Sequence, residues 1–308
     1  VSDTTRWPSL ATTVGEVALS NLFMTASGTA GHGAELAGYG ELSQLGAVVT
    51  KSLAAFEWKG NAAPRVAPAG ASMINAVGLS GPGVPRWIET GYRELEESGA
   101  TIVASIWGRT VDEFAAAAVA LQGLSLAAVE INASCPNLES RNAIFANSPE
   151  ATKGIMDATN VLSVPRWIKL TTTAPLLLDV VAAAREGGAD AVTLGNTLTG
   201  MVIDLEGQRP ILGNGGGGVS GEAARPVAVR AVYDVRSANP DLPIIGAGGV
   251  MGARDALALV MAGADAVQIG TATFAHPRAA WKISAATHRW LRRRGYSSIR
   301  ELQGVAHG

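Results

Sequence analysis

The chain holds one cysteine, Cys135, inside Asn132-Ala133-Ser134-Cys135-Pro136-Asn137. A lone cysteine is usually a small buried hydrophobe. This one has polar neighbours and a proline, and it directly follows an apolar run that reads as a strand, so its place points to function. Two lysines also end apolar strands, Lys51 in Val49-Thr50-Lys51-Ser52 and Lys169 in Ile168-Lys169-Leu170. A buried charge is costly unless paired, and a lysine at a strand's end can stabilise negative charge on a bound cofactor or substrate. Asparagines recur in the same kind of position, in Met73-Ile74-Asn75-Ala76-Val77-Gly78-Leu79, at Asn132 and in Gly195-Asn196-Thr197. Two lysines and several asparagines around one opening suit a planar, carbonyl-rich, anionic ligand. Two glycine-bearing turns, Gly246-Ala247-Gly248-Gly249 and Gly270-Thr271, supply the backbone approach and short helix start typical of a barrel phosphate site.

These residues need a scaffold that gathers strand ends. Gly46-Ala47-Val48, Gly99-Ala100-Thr101, Gly188-Ala189-Asp190 and Gly263-Ala264-Asp265 each place glycine between a helix-like stretch and a β-branched run, where it ends the helix. This repeated grammar marks a parallel α/β protein. It predicts strands at 22–26, 47–51, 102–106, 127–132, 166–170, 191–195, 243–247 and 266–270. Thr110-Val111-Asp112-Glu113 reads as a capping box, and Ser148-Pro149-Glu150 as an N-cap with proline at the first helical position. Eight strands in this order predict an α/β fold, a (β/α)8 TIM barrel with long loops inserted after strands 2, 4 and 6, forming one domain over 1–308. Loops after the strands' C-terminal ends build the active site of this fold, and the three long ones hold most of the unusual polar residues. The segment 138–147 is long and polar enough to serve as a lid.

Composition removes other classes. The chain has 308 residues, 47% hydrophobic, with a net charge of −2, so no basic excess suggests nucleic acid. The arginines at 289, 292, 293 and 294 read as the solvated face of the last helix. One cysteine excludes an internal disulfide and an iron–sulfur cluster held by this chain alone. The four histidines lack metal-ligand spacing, so no metal is expected. Neither Gly28-Thr29-Ala30-Gly31-His32-Gly33 nor Gly213–Gly218 has the context of a dinucleotide-binding turn. With no secretory pattern at the start and no apolar run of about 20 residues, a cytoplasmic protein is expected.

The chain resembles the class 1 dihydroorotate dehydrogenases across nearly its whole length. The matching residues are Ala26-Ser27-Gly28, Val49-Thr50-Lys51-Ser52, Gly60-Asn61, Asn75 with Gly78-Leu79, Asn132 through Asn137, Ile168-Lys169-Leu170, Asn196-Thr197, Gly218-Val219-Ser220-Gly221, Gly248-Gly249 and Gly270-Thr271. Asn196-Thr197-Leu198-Thr199-Gly200-Met201-Val202-Ile203-Asp204 is most similar to class 1B. The resemblance implies oxidation of dihydroorotate to orotate in pyrimidine biosynthesis, with FMN across the barrel mouth. It makes Cys135 the base at C5, with hydride leaving C6 for the flavin; a thiol suits this, its reference pKa of about 8.5 lying not far above neutrality. It assigns Lys51, Asn75, Gly78, Leu79, Asn132, Asn137, Asn196 and Thr197 to the substrate. It assigns Ala26, Ser27, Lys51, Ser52, Asn132, Lys169, Gly195, Gly221, Gly248, Gly249, Gly270 and Thr271 to FMN, the last four at the phosphate.

Five features depart from the family pattern: Gly81 for asparagine, Gly195 for a bulkier aliphatic residue, Trp107 at a usually small position beside the flavin, His32 for an aromatic residue, and Thr171-Thr172-Thr173 after Lys169. They bear on the substrate more than on the flavin. The resemblance further implies a separate FAD and iron–sulfur subunit that takes the electrons, and a homodimeric core. A quinone-linked enzyme would carry an amphipathic extension before strand 1, which this sequence does not show. The competing readings are a flavin enzyme acting on a related dihydropyrimidine-like ring, a non-redox phosphate-binding barrel, and a catalytically silent binding subunit.

Overall fold

A computed structural model describes residues 7–134 and 145–308. Numbering the barrel strands alone, these are β1 (Phe23–Thr25), β2 (Val48–Val49), β3 (Ile102–Ile106), β4 (Ala128–Asn132), β5 (Arg166–Leu170), β6 (Ala191–Leu194), β7 (Ile244–Ala247) and β8 (Ala266–Ile269). All eight are parallel and each pairs with its neighbour in sequence, with β8 returning to β1. A parallel bridge between Met24 and Ala47 joins β1 to β2 and closes the barrel. Each observed strand falls inside its predicted interval. Helices cross between the strands as the alternating pattern requires, except that the first crossover carries a 3₁₀ turn, Leu42–Gln44.

The period of two along each strand divides the core. Phe23, Val48, Ile102, Val129, Ile168, Val192, Ile244 and Val267 point outward and pack under the helices. Met24, Val49, Val103, Ala128, Trp167, Ala191, Ile245 and Ala266 form a separate interior cluster, joined by Val14, Val17 and Leu19. Those three come from an antiparallel hairpin, Thr12–Val14 with Val17–Leu19, which seals the end of the barrel where the strands start. The hairpin was not among the predicted elements, because three-residue strands carry too little periodicity to read.

The loops after β2, β4 and β6 are the long ones, as expected. The first and third meet in a four-stranded antiparallel sheet over the mouth, in the order Leu198–Gly200, Gly217–Gly221, Ser72–Asn75, Val66–Ala69. The glycine run thus becomes a strand. Its glycines allow close approach: a Cβ on Gly218 would overlap the Thr197 side chain.

Helix starts follow local chemistry. The Thr110 hydroxyl accepts from the Glu113 N–H and Ser148 from that of Ala151, each cap contributing ~1 kcal/mol. The Glu113 carboxylate accepts from the backbone N–H of Arg109, one residue before the cap. The four arginines of the last helix, Ala279–Arg294, are exposed.

Candidate active site

The barrel opens at the strands' C-terminal ends into a cavity of about 1270 Å³, its open mouth included. Every predicted site residue within the described part lines it: Ala26, Ser27, Lys51, Ser52, Asn75, Gly78, Leu79, Asn132, Lys169, Gly195, Asn196, Thr197, Gly221, Gly248, Gly249, Gly270 and Thr271. Cys135 and Asn137, with most of the predicted lid, lie outside the described residues.

A polar chain crosses one wall. The Ser52 hydroxyl lies 3.1 Å from that of Ser27 and 2.9 Å from that of Ser105. Ser52 also accepts from Asn132 Nδ2 at 3.0 Å. Asn132 Oδ1 accepts from the Ser134 hydroxyl at 3.2 Å, and the Ser134 hydroxyl accepts from Asn196 Nδ2 at 2.7 Å. Asn196 Oδ1 in turn accepts from the Thr197 N–H at 2.8 Å. The chain fixes two amides, Asn132 at the end of β4 and Asn196 just after β6, and runs through Ser134, the residue before Cys135. Asn75 is set by its strand, donating to the Gly218 carbonyl at 3.2 Å.

Beneath this wall lies a buried ionic cluster. Lys169 Nζ stands 3.6 Å from Glu130 Oε1 and donates to Gln268 Oε1 at 3.1 Å. Glu130 Oε2 accepts from Gln268 Nε2 at 2.6 Å and from the Thr193 hydroxyl at 3.1 Å. Glu130 and Thr193 are fully buried. Sequence reasoning missed Glu130, Thr193 and Gln268. The available signal was an acid inside the apolar strand Ala128-Val129-Glu130-Ile131-Asn132, on the same inward face as Asn132.

Two glycines are required by geometry. Gly195 has φ +143°, and a Cβ there would overlap the Ala247 carbonyl of β7, so the family's aliphatic residue has no room here. Gly249 has φ +67°, and a Cβ would press on the Arg225 backbone nitrogen at 2.7 Å. The turn at Gly248-Gly249 thus packs tightly on the helix behind it and lines the cavity with backbone alone, which suits an anion cradle.

One further departure, Trp107, is placed differently from expectation. Trp107 does not line the cavity. It is buried behind Leu79, in a cluster with Ala54, Phe56 and Trp58, with the Arg109 guanidinium 4.8 Å from the Phe56 ring and 5.0 Å from that of Trp58. The indole of Trp58 donates to the Gly78 carbonyl at 3.0 Å. Together these hold Leu79, a non-glycine residue at φ +59°, in a conformation costing about 1–3 kcal/mol. Trp107 thus acts on the cavity through the Gly78-Leu79 turn.

His32 and Gly81 are one change. A Cβ on Gly81 would sit 3.0 Å from His32 Nε2, so the imidazole fills the space a side chain at 81 would take. Burial, and then the positive charge of Lys51, push the His32 pKa down to about 4, against a smaller opposing pull from Glu35. The ring is neutral at pH 7.

Among the described residues no group of acids, histidines or cysteines could hold a metal ion, and no helix is long and apolar enough to cross a membrane.

Known proteins match this sequence. The family model for dihydroorotate dehydrogenase matches residues 9–291. The catalytic subunit of dihydroorotate dehydrogenase B (NAD(+)) from Desulforudis audaxviator is 42% identical over 299 residues, 96% of this chain and 97% of that protein. Its counterpart from Trichlorobacter lovleyi is 39% identical over 303 residues, 98% and 99% of the two chains. The one from Alkaliphilus metalliredigens is 40% identical over 292 residues, 94% and 95%. A barrel mouth lined by this set of lysines, asparagines and glycines, matched over nearly its full length, places the chain in the dihydroorotate dehydrogenase family.

Proposed function

We propose that the chain is the catalytic subunit of a class 1B dihydroorotate dehydrogenase, oxidising dihydroorotate to orotate in pyrimidine biosynthesis with FMN as its cofactor. The observation that carries this reading is the convergence of Lys51, Lys169, Asn75, Asn132 and Asn196 on one cavity that also contains the bare turn at Gly248-Gly249.

The residues present fit FMN. The Gly248-Gly249 turn with Gly270 and Thr271 would hold the phosphate, leaving no side chain in the way. Lys169 would offer a cation to the ring system. Ala26, Ser27, Ser52, Gly195 and Gly221 complete the bed. When bound, FMN supplies the acceptor for the hydride that leaves C6.

The rest is the chain's own work. Asn75, Asn132, Asn196 and Thr197, with Asn137, hydrogen-bond the pyrimidine ring and its carboxylate. Gly78 and Leu79, braced by Trp58 and Trp107, form the wall beside them. Cys135 takes the proton from C5, and Lys51 reaches both substrate and cofactor. The Ser52–Asn132–Ser134–Asn196 chain fixes the amides before substrate arrives, which lowers the ordering cost of binding.

Electrons leave through a separate subunit bearing FAD and an iron–sulfur cluster, toward NAD, and the core is a homodimer in the cytoplasm. The relatives' name, a catalytic subunit of an NAD(+) enzyme, supports a separate partner subunit and NAD as the acceptor. NAD reduction should therefore require the second subunit. Rapid turnover of the purified chain with fumarate, ungained by any partner, would place it in class 1A instead.

The visible spectrum of the purified protein tests the reading. A flavin spectrum that orotate perturbs, with dihydroorotate oxidation lost in Cys135→Ala, is the expected result. A colourless protein that takes up no FMN would overturn it.

A further inference from the structure

Glu130 takes no part in the chemistry described above, yet it is the buried acid closest to it. Its side chain is fully buried on the inward face of β4, below Asn132. One oxygen, Oε2, is clamped by Gln268 and Thr193. Among the described residues the other, Oε1, has no hydrogen-bond partner, and it lies 3.6 Å from the Lys169 ammonium. Gln268 bridges the two ions, its oxygen toward Lys169 and its nitrogen toward Glu130. That orientation is forced, because reversing the amide would set N–H against ammonium and oxygen against carboxylate. The lysine is therefore held on both sides while its end lines the cavity floor.

We propose that Glu130 is a positioning residue and counter-charge for Lys169, limiting how much positive charge the cavity floor presents to a reduced, negatively charged flavin. The proposal rests on the FMN reading above. Glu130 and Lys169 sum to zero when no ligand is present, so a floor that would otherwise strand a buried cation is neutral. A cofactor that gains negative charge there would be attracted by Lys169 and repelled by Glu130. The lysine position follows from the same contacts, since its ammonium is drawn toward Oε1 and away from the mouth.

Glu130→Gln keeps the shape, removes the negative charge and turns an N–H donor toward Lys169. The FMN midpoint potential is the readout, by spectroscopic titration of the loaded protein against a reference dye. Glu130→Gln should favour the reduced form on the order of tenfold, about 30 mV upward for a two-electron couple. Asp234→Asn, which removes an exposed carboxylate from an outer helix, should leave the potential in place. No shift in Glu130→Gln, a downward shift, or an equal shift in Asp234→Asn would overturn the proposal.

A second measurement uses the protein without FMN. Lys169→Met strands the Glu130 carboxylate, so adding Glu130→Gln to it should raise the melting temperature. A double variant no more stable than Lys169→Met would mean that the carboxylate is not coupled to the lysine, and the proposal falls even if Glu130→Gln alone does not fold. Failure of the wild-type chain to take up FMN would sink the functional reading and this proposal together. Uptake with an unshifted potential would sink this proposal alone.

Discussion

The barrel interior has two halves built by the same strands. At the starts of the strands it is apolar: Trp167, Ala128, Ala191 and Ala266 meet under the Thr12–Val14 hairpin. Two residues further along the same inward faces stand Lys169, Glu130, Thr193 and Gln268. The lower half is filled mainly by dispersion and burial, which need volume and shape, and its one polar atom among these side chains, the Trp167 indole nitrogen, has no hydrogen-bond partner among the described residues. The upper half is filled by an ion pair and two neutral polar side chains tied together by hydrogen bonds, because an unpaired buried polar group is expensive. One pleat thus carries both stability and chemistry, separated by two residues.

The comparison can be broken most forcefully in the lower half. Trp167→Ala should cost about 3–5 kcal/mol, read by urea denaturation, and leave cofactor uptake per folded molecule unchanged. In the upper half, Lys169→Ala should cost about 3 kcal/mol, because it strands Glu130, and should weaken FMN binding as well. A Lys169→Ala protein that lost stability but bound FMN as before would remove the distinction between the halves. Gly195→Ala should cost about 1–3 kcal/mol through strain at φ +143° and overlap with Ala247, visible as a lower melting temperature and distortion of the mouth.

A smaller effect belongs to His32, at the edge of the polar half. Its folded pKa of about 4 lies below the reference value of 6.5. The unfolded chain therefore binds a proton in this window that the folded chain refuses. The associated stability is fully present above pH 6.5 and declines as pH falls toward 4. His32→Gln should flatten that part of a melting-temperature profile, and an unchanged slope would count against the assignment. The smallest effect is expected at the exposed Arg230–Asp234 pair on an outer helix, where Arg230→Ala should change stability by less than about 0.5 kcal/mol.

Most of the site was legible in the residues because the barrel makes a linear rule spatial. A polar residue that ends an apolar strand arrives at the mouth, and Lys51, Asn132, Lys169 and Asn196 were read that way. Glu130 was hidden because it sits mid-strand, where the rule expects packing. Trp107 was placed beside the flavin by the family resemblance, whereas it turns behind Leu79 into the aromatic cluster. Its destination depends on Phe56 and Trp58, which come from another loop.

The sequence by itself determined the eight strands, the three long loops and the polar residues at the strand ends, because each follows from local periodicity and local turn chemistry. Only the tertiary structure decided that Asn75 would pair with Gly218, 143 residues away, that Gln268 would bridge Glu130 and Lys169, and that His32 would fill the space left by Gly81. Those outcomes rest on contacts between segments far apart in the chain. No local pattern encodes them, because each depends on the shape and charge its partner presents only after the barrel has closed.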